Sequence, residues 1–284
     1  TLDEVTSEMH VTMMKMANEG VMEYEISGTV EGLARKNDRL IPYPVICSVN
    51  GEVLHNHNHN NKLQRGKLLL LDAGCESPLH YATDITRTVP VGRTFTPQQK
   101  TIYEIVLKMQ KEGLQQIKPG VPFLDVHLHT CQIMAEKLIA LGLMKGNAAD
   151  AVNEGAHAMF MPHGLGHMMG LDVHDMEDLG EDNFAYNEEV QRSEIFGTAN
   201  LRLGKMLEEG YVITVEPGIY FIPELFRQWK QKNIHKDFIN YQEVEKYLGF
   251  GGIRIEDNVL ITSDSHRILG NPIPKEIKDI EKIA

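Results

Sequence analysis

The sequence predicts an α+β fold in which helices cover an antiparallel sheet. Two observations carry this. Segments with helical spacing and segments rich in apolar and β-branched residues alternate in blocks: helices, strands, helices, strands. No stretch reads as a long linker, an internal repeat or a low-complexity tract, so residues 1–284 are expected to form a single domain.

The elements follow in order. Residues 2–19 are helix-prone, with Met9, Met13 and Met16 at helical spacing as a core stripe and Gly20 as the stop. A second helix is expected from Met22 to Lys36. Leu40 to Val49 and Lys67 to Asp72 read as extended, and Pro78 to Val91 as another strand pair. Thr96-Pro97 opens a helix, with Thr as N-cap and Pro in the first turn, and Pro119-Gly120 ends it. Further helices are expected at Leu124–Leu141, Ala148–Met159 and Pro274–Ile283, and late strands at Tyr211–Val215 and Ile253–Thr262. Gly180–Gly197 is polar and acidic and reads as a surface loop. Glu224–Lys246 reads the same way, with a helix carrying Trp229.

Charge narrows the function classes. The chain has 40 acidic and 28 basic residues, a net charge of −12. Nucleic acid and anionic membrane need clustered Lys and Arg, so neither is expected as a partner. No apolar run approaches the roughly 20 residues of a membrane helix. Cys47, Cys75 and Cys131 are odd in number and lack C-x-x-C spacing, which suits buried, reduced thiols in a cytoplasmic protein. The chain opens on Thr1 with no signal-peptide pattern, so it is either processed or part of something longer.

Five segments place chemistry where packing does not need it. Residues 162–175 put His163, His167 and His174 among three glycines, beside Asp172 and Asp175. Four leucines run straight into Asp72, and an aspartate ending a buried strand is costly unless paired or metal-bound. Asp84 follows twelve residues later, so two strands joined by a short turn would bring both carboxylates together. Glu216 and Glu256 likewise interrupt apolar strands. Taken singly, Asp72 could cap a turn, Asp84 could pair with Arg87, Glu216 could end a strand, and Glu256 could pair with Arg254. Together, four carboxylates would repel one another and be driven to protonate. A pair of divalent cations removes that repulsion. Oxygen-rich donors with one imidazole suit Mn²⁺, Co²⁺ or Fe²⁺ better than structural Zn²⁺.

These residues resemble the pita-bread metallopeptidases, a superfamily that includes methionine aminopeptidase, aminopeptidase P, prolidase and creatinase. The anchors are L-L-D-A-G at 70–74, A-T-D-I-T-R at 82–87, H-G-L-G-H-M-M-G-L-D-V-H-D at 163–175, T-V-E-P-G-I-Y at 214–220 and G-I-R-I-E-D at 252–257. The histidine segment and the run after Thr214 are similar to the proline-directed branch, aminopeptidase P and prolidase. The long insert between Tyr220 and Gly251 is more like eukaryotic-type prolidase.

The resemblance implies a curved antiparallel sheet covered by helices, and a dinuclear exopeptidase that cleaves Xaa-Pro bonds at peptide N-termini or in dipeptides. It implies that Asp72 chelates one metal, Asp84 and Glu256 bridge both, and His167 and Glu216 complete the second site. The two cations, Mn²⁺ first with Co²⁺, Fe²⁺ or Zn²⁺ as alternatives, would share a water or hydroxide and lower its pKa. Glu216 would be both ligand and general base. By the same resemblance His174 would donate to the oxyanion, His163 would line the proline-side pocket, and both count as catalytic. Arg254 and Tyr220 would bind substrate, with Arg254 also steadying the bridging carboxylates and Tyr220 from behind. His55 would face the substrate, and Arg202 would hold a terminal carboxylate. His55 opens an alternating His-Asn tract, so His57 or His59 could take its place, or the tract could be a surface metal binder.

The substrate is expected to be a peptide with proline second. An Xaa-Pro bond is a tertiary amide without an N–H, so it needs a dedicated site. Proline-directed relatives carry an N-terminal domain, expected to be absent from residues 1–284, and the full-length protein would be a homodimer. Two other readings compete: a non-catalytic pita-bread module that binds peptides or proteins, and a creatinase-like C–N hydrolase that needs no metal. The intact ligand set argues against both.

Overall fold

A computed structural model describes residues 2–283, with side chains from Glu4 onward. Two helices open it, α1 (Leu2–Met16) and α2 (Glu23–Lys36). Three strands follow: β1 (Ile46–Ser48), β2 (Leu68–Asp72) and β3 (Thr86–Pro90). Next come helices α3 (Pro97–Gln116), α4 (Phe123–Ala140), α5 (Ala148–Asn153) and the short α6 (Glu181–Phe184). The last part holds β4 (Val212–Val215), β5 (Gly218–Tyr220), α7 (Pro223–Lys232), α8 (Tyr241–Glu245), β6 (Gly252–Arg254), β7 (Asp257–Ile261), β8 (His266–Ile268) and α9 (Ile277–Ile283).

The strands form three small antiparallel sheets, ordered β1-β2-β3, β4-β7-β8 and β5-β6. β2 is central in its sheet and buried along its whole length, which is why its leucines run unbroken instead of alternating. Helices α1–α4 supply the apolar cover. Met9 and Met13 are fully buried on α1, and Ile102, Val106 and Met109 on α3. Thr96 caps α3 by accepting from the Gln99 amide, and the Gln99 side chain accepts from the Thr96 amide in return.

Two bonds stitch the sheets where they meet: the Glu256 amide donates to the Thr86 carbonyl (3.1 Å) and Ile255 to Pro217 (3.3 Å), while Ala73 donating to Ile85 (3.0 Å) carries the β2–β3 pairing on toward them. A fourth segment hangs on β4: Thr214 donates to the His167 carbonyl (3.0 Å) and Glu216 to that of Leu165 (2.8 Å). Asp72, Asp84, His167, Glu216 and Glu256 all sit at this junction.

Several sequence expectations are revised. Leu40–Val49 holds only the short β1, and Pro78–Val91 is one strand, not two, because a turn occupies Ser77–Tyr81. The helix expected over Ala148–Met159 breaks at Gly155 (φ +84°) into α5 and a 3₁₀ turn at Ala156–Met159. The strand expected over Ile253–Thr262 divides into β6 and β7 at Ile255-Glu256, where the backbone turns to pair with Pro217 and Thr86. Glu224–Lys246 carries two helices, and Trp229 is buried. All three cysteines are buried.

Candidate active site

β2 and β3 carry the first two carboxylates. Asp72 ends β2 opposite Thr86, and Asp84 lies two residues before Thr86, so both acids emerge at the same end of the hairpin. Gly74 makes the approach possible: a Cβ there would sit 1.8 Å from the Thr83 carbonyl oxygen. Gly166 does the same one segment away, with a Cβ position 2.0 Å from the Thr214 carbonyl oxygen. Close backbone contact therefore explains glycine at both places. His167 is held by its backbone against β4, Glu216 follows β4, and Glu256 sits in the break between β6 and β7.

The donor atoms converge. Ligand atoms of Asp84, His167 and Glu256 lie within 4.8 Å of one another. His167 Nε2 is 3.4 Å from Asp84 Oδ2 and 3.6 Å from Glu216 Oε1. The Tyr43 hydroxyl lies 2.8 Å from Asp72 Oδ1 and 2.6 Å from Asp84 Oδ1. Arg254 Nη2 donates to Asp72 Oδ2 (2.5 Å), and Thr86 Oγ1 donates to Glu256 Oε2 (2.5 Å). Glu256 Oε1 is buried without a hydrogen-bond partner.

Electrostatics show the strain of this arrangement. Burial and the neighbouring Asp84 push Asp72 up to about 7 even with Arg254 beside it. Burial, with Asp84, Glu216 and Asp72, raises Glu256 well above the carboxylate range. Burial also raises Glu216. Burial would raise Asp84 too, but bonds from His167 and Tyr43 hold it below its ordinary value. Burial would lower His167, but Asp84 and Glu216 carry it up to about 9. Protons thus occupy positions that cations would neutralise better.

The donor set fits divalent cations. His167 donates through Nδ1 to the Met168 carbonyl (2.8 Å), which aims Nε2 at the carboxylates, where it would offer its lone pair to a cation on giving up its proton. The orphaned Glu256 oxygen faces the same group of ligands. The ion pairs left open by the sequence fall elsewhere: Arg87 pairs with Asp257, not Asp84, and Arg254 pairs with Asp72, not Glu256.

The ligands open into a cavity of about 430 Å³, also lined by His55, His163, His174, Asn200, Arg202 and Arg254. His174 packs edge-on against His167, with ring centroids 4.3 Å apart. Arg202 Nη1 donates to His174 Nδ1 (3.2 Å) and to Glu177. His163 donates from Nδ1 to the Gly164 carbonyl (2.7 Å) and accepts at Nε2 from the Tyr220 hydroxyl (3.0 Å), which in turn accepts from Arg254 Nη1 (3.0 Å). Tyr220 is fully buried and does not line the cavity, so its expected contact with substrate becomes a supporting one behind His163. Of the three alternating histidines, His55 lines this cavity, His55 and His57 line a smaller adjoining one, and His59 bonds the Val45 carbonyl.

Tyr43 and Glu177 were not anticipated. Tyr43 stands between two prolines just before β1, and the Ile46–Asp72 pairing is what carries it to the ligands. Glu177 opens a short 3₁₀ turn, Glu177–Leu179, in a stretch with no periodic signal.

The chain matches the model of metallopeptidase family M24 over residues 3–263. It belongs to that family. The family's metallopeptidase character carries a divalent-cation requirement with it. The chain is 35% identical to human Xaa-Pro dipeptidase over 288 residues, covering 98% of this chain and 56% of that protein. It is 34% identical to a probable Xaa-Pro aminopeptidase from Metarhizium robertsii, covering 99% of this chain and 59% of the relative. Among solved structures, proline aminopeptidase P II from Yersinia pestis superposes with a TM-score of 0.80 at 32% identity, covering 99% of this M24 chain and 57% of that one. The chain thus spans little more than half the length of these relatives. The likeness supports the pita-bread α+β architecture. Among the described residues, no helix is long and apolar enough to cross a membrane.

Proposed function

We propose that this M24 chain forms the catalytic part of an exopeptidase that hydrolyses Xaa-Pro bonds. The observation that carries this is the meeting of Asp72, Asp84, His167, Glu216 and Glu256 at one cavity wall, with an unpartnered Glu256 oxygen among them. These five residues would hold two divalent cations, with Mn²⁺ favoured by the oxygen-rich donors. Bound there, such ions would lower the pKa of water and polarise a peptide carbonyl.

The chain's own residues supply the rest. Glu216, raised by burial, is suited to accept the proton of the attacking water and pass it to the leaving nitrogen. His174 stands beside His167 on the cavity wall with Nδ1 engaged by Arg202 and Glu177, so Nε2 is the atom placed to donate to a developing oxyanion. His163 takes a different part. Burial and Arg254 drive it down to about 3, and both ring nitrogens are engaged. A neutral, fixed ring cannot shuttle protons, but it makes a firm wall for a pyrrolidine ring. His163 is therefore assigned to substrate positioning, not proton transfer.

The names of the relatives support both Xaa-Pro aminopeptidase and Xaa-Pro dipeptidase activity. Arg202 bears on the choice. Its bonds among the described residues run through Nη1, leaving the rest of the guanidinium to meet a substrate carboxylate. A dipeptide would present that carboxylate inside the cavity. Comparing hydrolysis of an Xaa-Pro dipeptide with that of an Xaa-Pro-Xaa tripeptide, both with Mn²⁺ supplied, tests the assignment. Turnover of neither would overturn it.

A further inference from the structure

A second group of metal-ligating side chains lies in the core, apart from the carboxylates. His127 and Cys131 are one helical turn apart on the same face of α4. His157 reaches them from the 3₁₀ turn after α5. All three are fully buried. One donor atom from each lies within 4.8 Å of the others. We propose that His127, Cys131 and His157 form a structural site for a thiophilic divalent cation, Zn²⁺ in the first instance, separate from the catalytic pair.

Two observations support this. First, neither ring nitrogen of His157 makes a hydrogen bond of good geometry, although the ring is fully buried. The Val152 carbonyl is close enough to act on it electrostatically, but it does not satisfy the ring. A buried imidazole without a partner is costly in a core, and a cation would satisfy it. Second, the spacing fits. Ligands about 2.1 and 2.3 Å from a tetrahedral zinc stand roughly 3.5 Å from each other. Cys131 Sγ is 3.6 Å from His127 Nε2, so this pair is already in place, and His157 needs only a small movement.

Binding balances as an exchange. The Cys131 thiol releases its proton to solvent, the sulfur–zinc bond forms, and zinc gives up hydration water for two imidazoles and a thiolate. Burial raises the Cys131 pKa, so uptake should weaken as pH falls. There is a short way in. A Cβ on Gly197 would sit 3.5 Å from His157 Nε2, and the neighbouring Ile195 and Phe196 are exposed. The cover over His157 on that side is thin. A cation here would tie α4 to the segment that leads into His163 and His167.

Cobalt distinguishes this site from the catalytic one, whose donors are all oxygen and nitrogen. Loading the full chain with Co²⁺ should produce a thiolate-to-cobalt charge-transfer band in the near ultraviolet. The band should persist in Asp84→Asn and vanish in Cys131→Ser and His157→Gln. Zinc bound after reconstitution should fall by one ion per chain in either of the last two variants. His157→Gln keeps the polar volume, so it decides the matter if Cys131→Ser does not fold. The proposal is overturned if cobalt gives no thiolate band at any loading. It is equally overturned if bound zinc is unchanged in His157→Gln, which would leave a polar core cluster and nothing more. Neither result depends on peptidase activity.

Discussion

The Tyr43 hydroxyl stands between Asp72 and Asp84, 2.8 Å from one carboxylate and 2.6 Å from the other. One proton serves two acids. Burial and the surrounding carboxylates raise the phenol well above its ordinary pKa, so it remains a donor. Its function is to orient ligands, and such supporting partners are typically worth about 10–100-fold in metal affinity or activity. Tyr43→Phe should therefore lose roughly that factor in Mn²⁺ affinity while keeping the fold. Isothermal titration of the metal-free protein, with circular dichroism as the control, measures both.

Metal removal should destabilise the protein. Asp72, Glu216 and Glu256 are all raised by burial, and a cation would satisfy the unpartnered Glu256 oxygen. Chelation should lower the melting temperature of the natural chain by several degrees, since about 1 kcal/mol corresponds to some 2–4 °C at this size. Glu256→Gln relieves the repulsion and removes a ligand. In protein loaded with Mn²⁺ alone, its melting temperature should be nearly indifferent to EDTA, and its peptidase activity should be lost.

A separate ion cluster sets acid stability. Burial alone would raise Asp257, but Arg87 and Lys275 hold it well below the carboxylate range. Arg87 bonds it at 2.6 Å and Lys275 at 2.5 Å. A carboxylate with a depressed folded pKa stabilises above its unfolded pKa, near 4, and loses that contribution as pH falls toward the folded value. Urea unfolding should show stability falling below about pH 4. Asp257→Asn leaves Arg87 buried and unpaired, so it should cost about 3–5 kcal/mol at pH 7 and flatten that acid dependence.

Arg202 separates the two peptidase readings. Arg202→Ala should raise KM for an Xaa-Pro dipeptide by about 10-fold or more, the loss of a charge-assisted bond, and affect a long Xaa-Pro peptide far less. Equal effects on both substrates would remove the carboxylate role. The Glu177 contact adds a check: Glu177→Gln, which weakens that tie, should spare or improve dipeptide binding.

Gly166 offers a backbone test. A methyl there collides with the Thr214 carbonyl, which forces apart the segment carrying His167 and the strand leading to Glu216. Gly166→Ala should reduce metal binding more than any exposed glycine replacement, such as Gly28→Ala, where nothing lies within 4 Å.

Much of the site was legible because its residues contradict their surroundings. Asp72 after four leucines, and Glu216 and Glu256 inside apolar runs, have no packing reason to be there. Elements with strong periodicity and capping, such as α3 from Thr96-Pro97, were equally plain. What escaped depends on tertiary placement. Tyr43 has no pattern of its own and acquires its role only through the β1–β2 register. The break at Ile255-Glu256 is invisible in a run that reads as one strand, because its cause is pairing with Thr86 and Pro217. The partners of Arg87 and Arg254 went to acids far away in sequence, where nearest-neighbour reasoning pointed to Asp84 and Glu256. His127 and His157 lie in segments that read as ordinary helix, so only their convergence makes them notable.

The junction of three sheets is proposed to hold two cations that serve Xaa-Pro hydrolysis. The most direct measurement is release of the first residue from matched Xaa-Pro-Xaa and Xaa-Ala-Xaa peptides by the Mn²⁺-loaded chain, alongside an Xaa-Pro dipeptide and with Asp84→Asn as control. Cleavage at proline, little at alanine and none in the variant are expected. Two bound cations with no hydrolysis of either proline substrate, or cleavage undiminished in Asp84→Asn, would contradict this proposal.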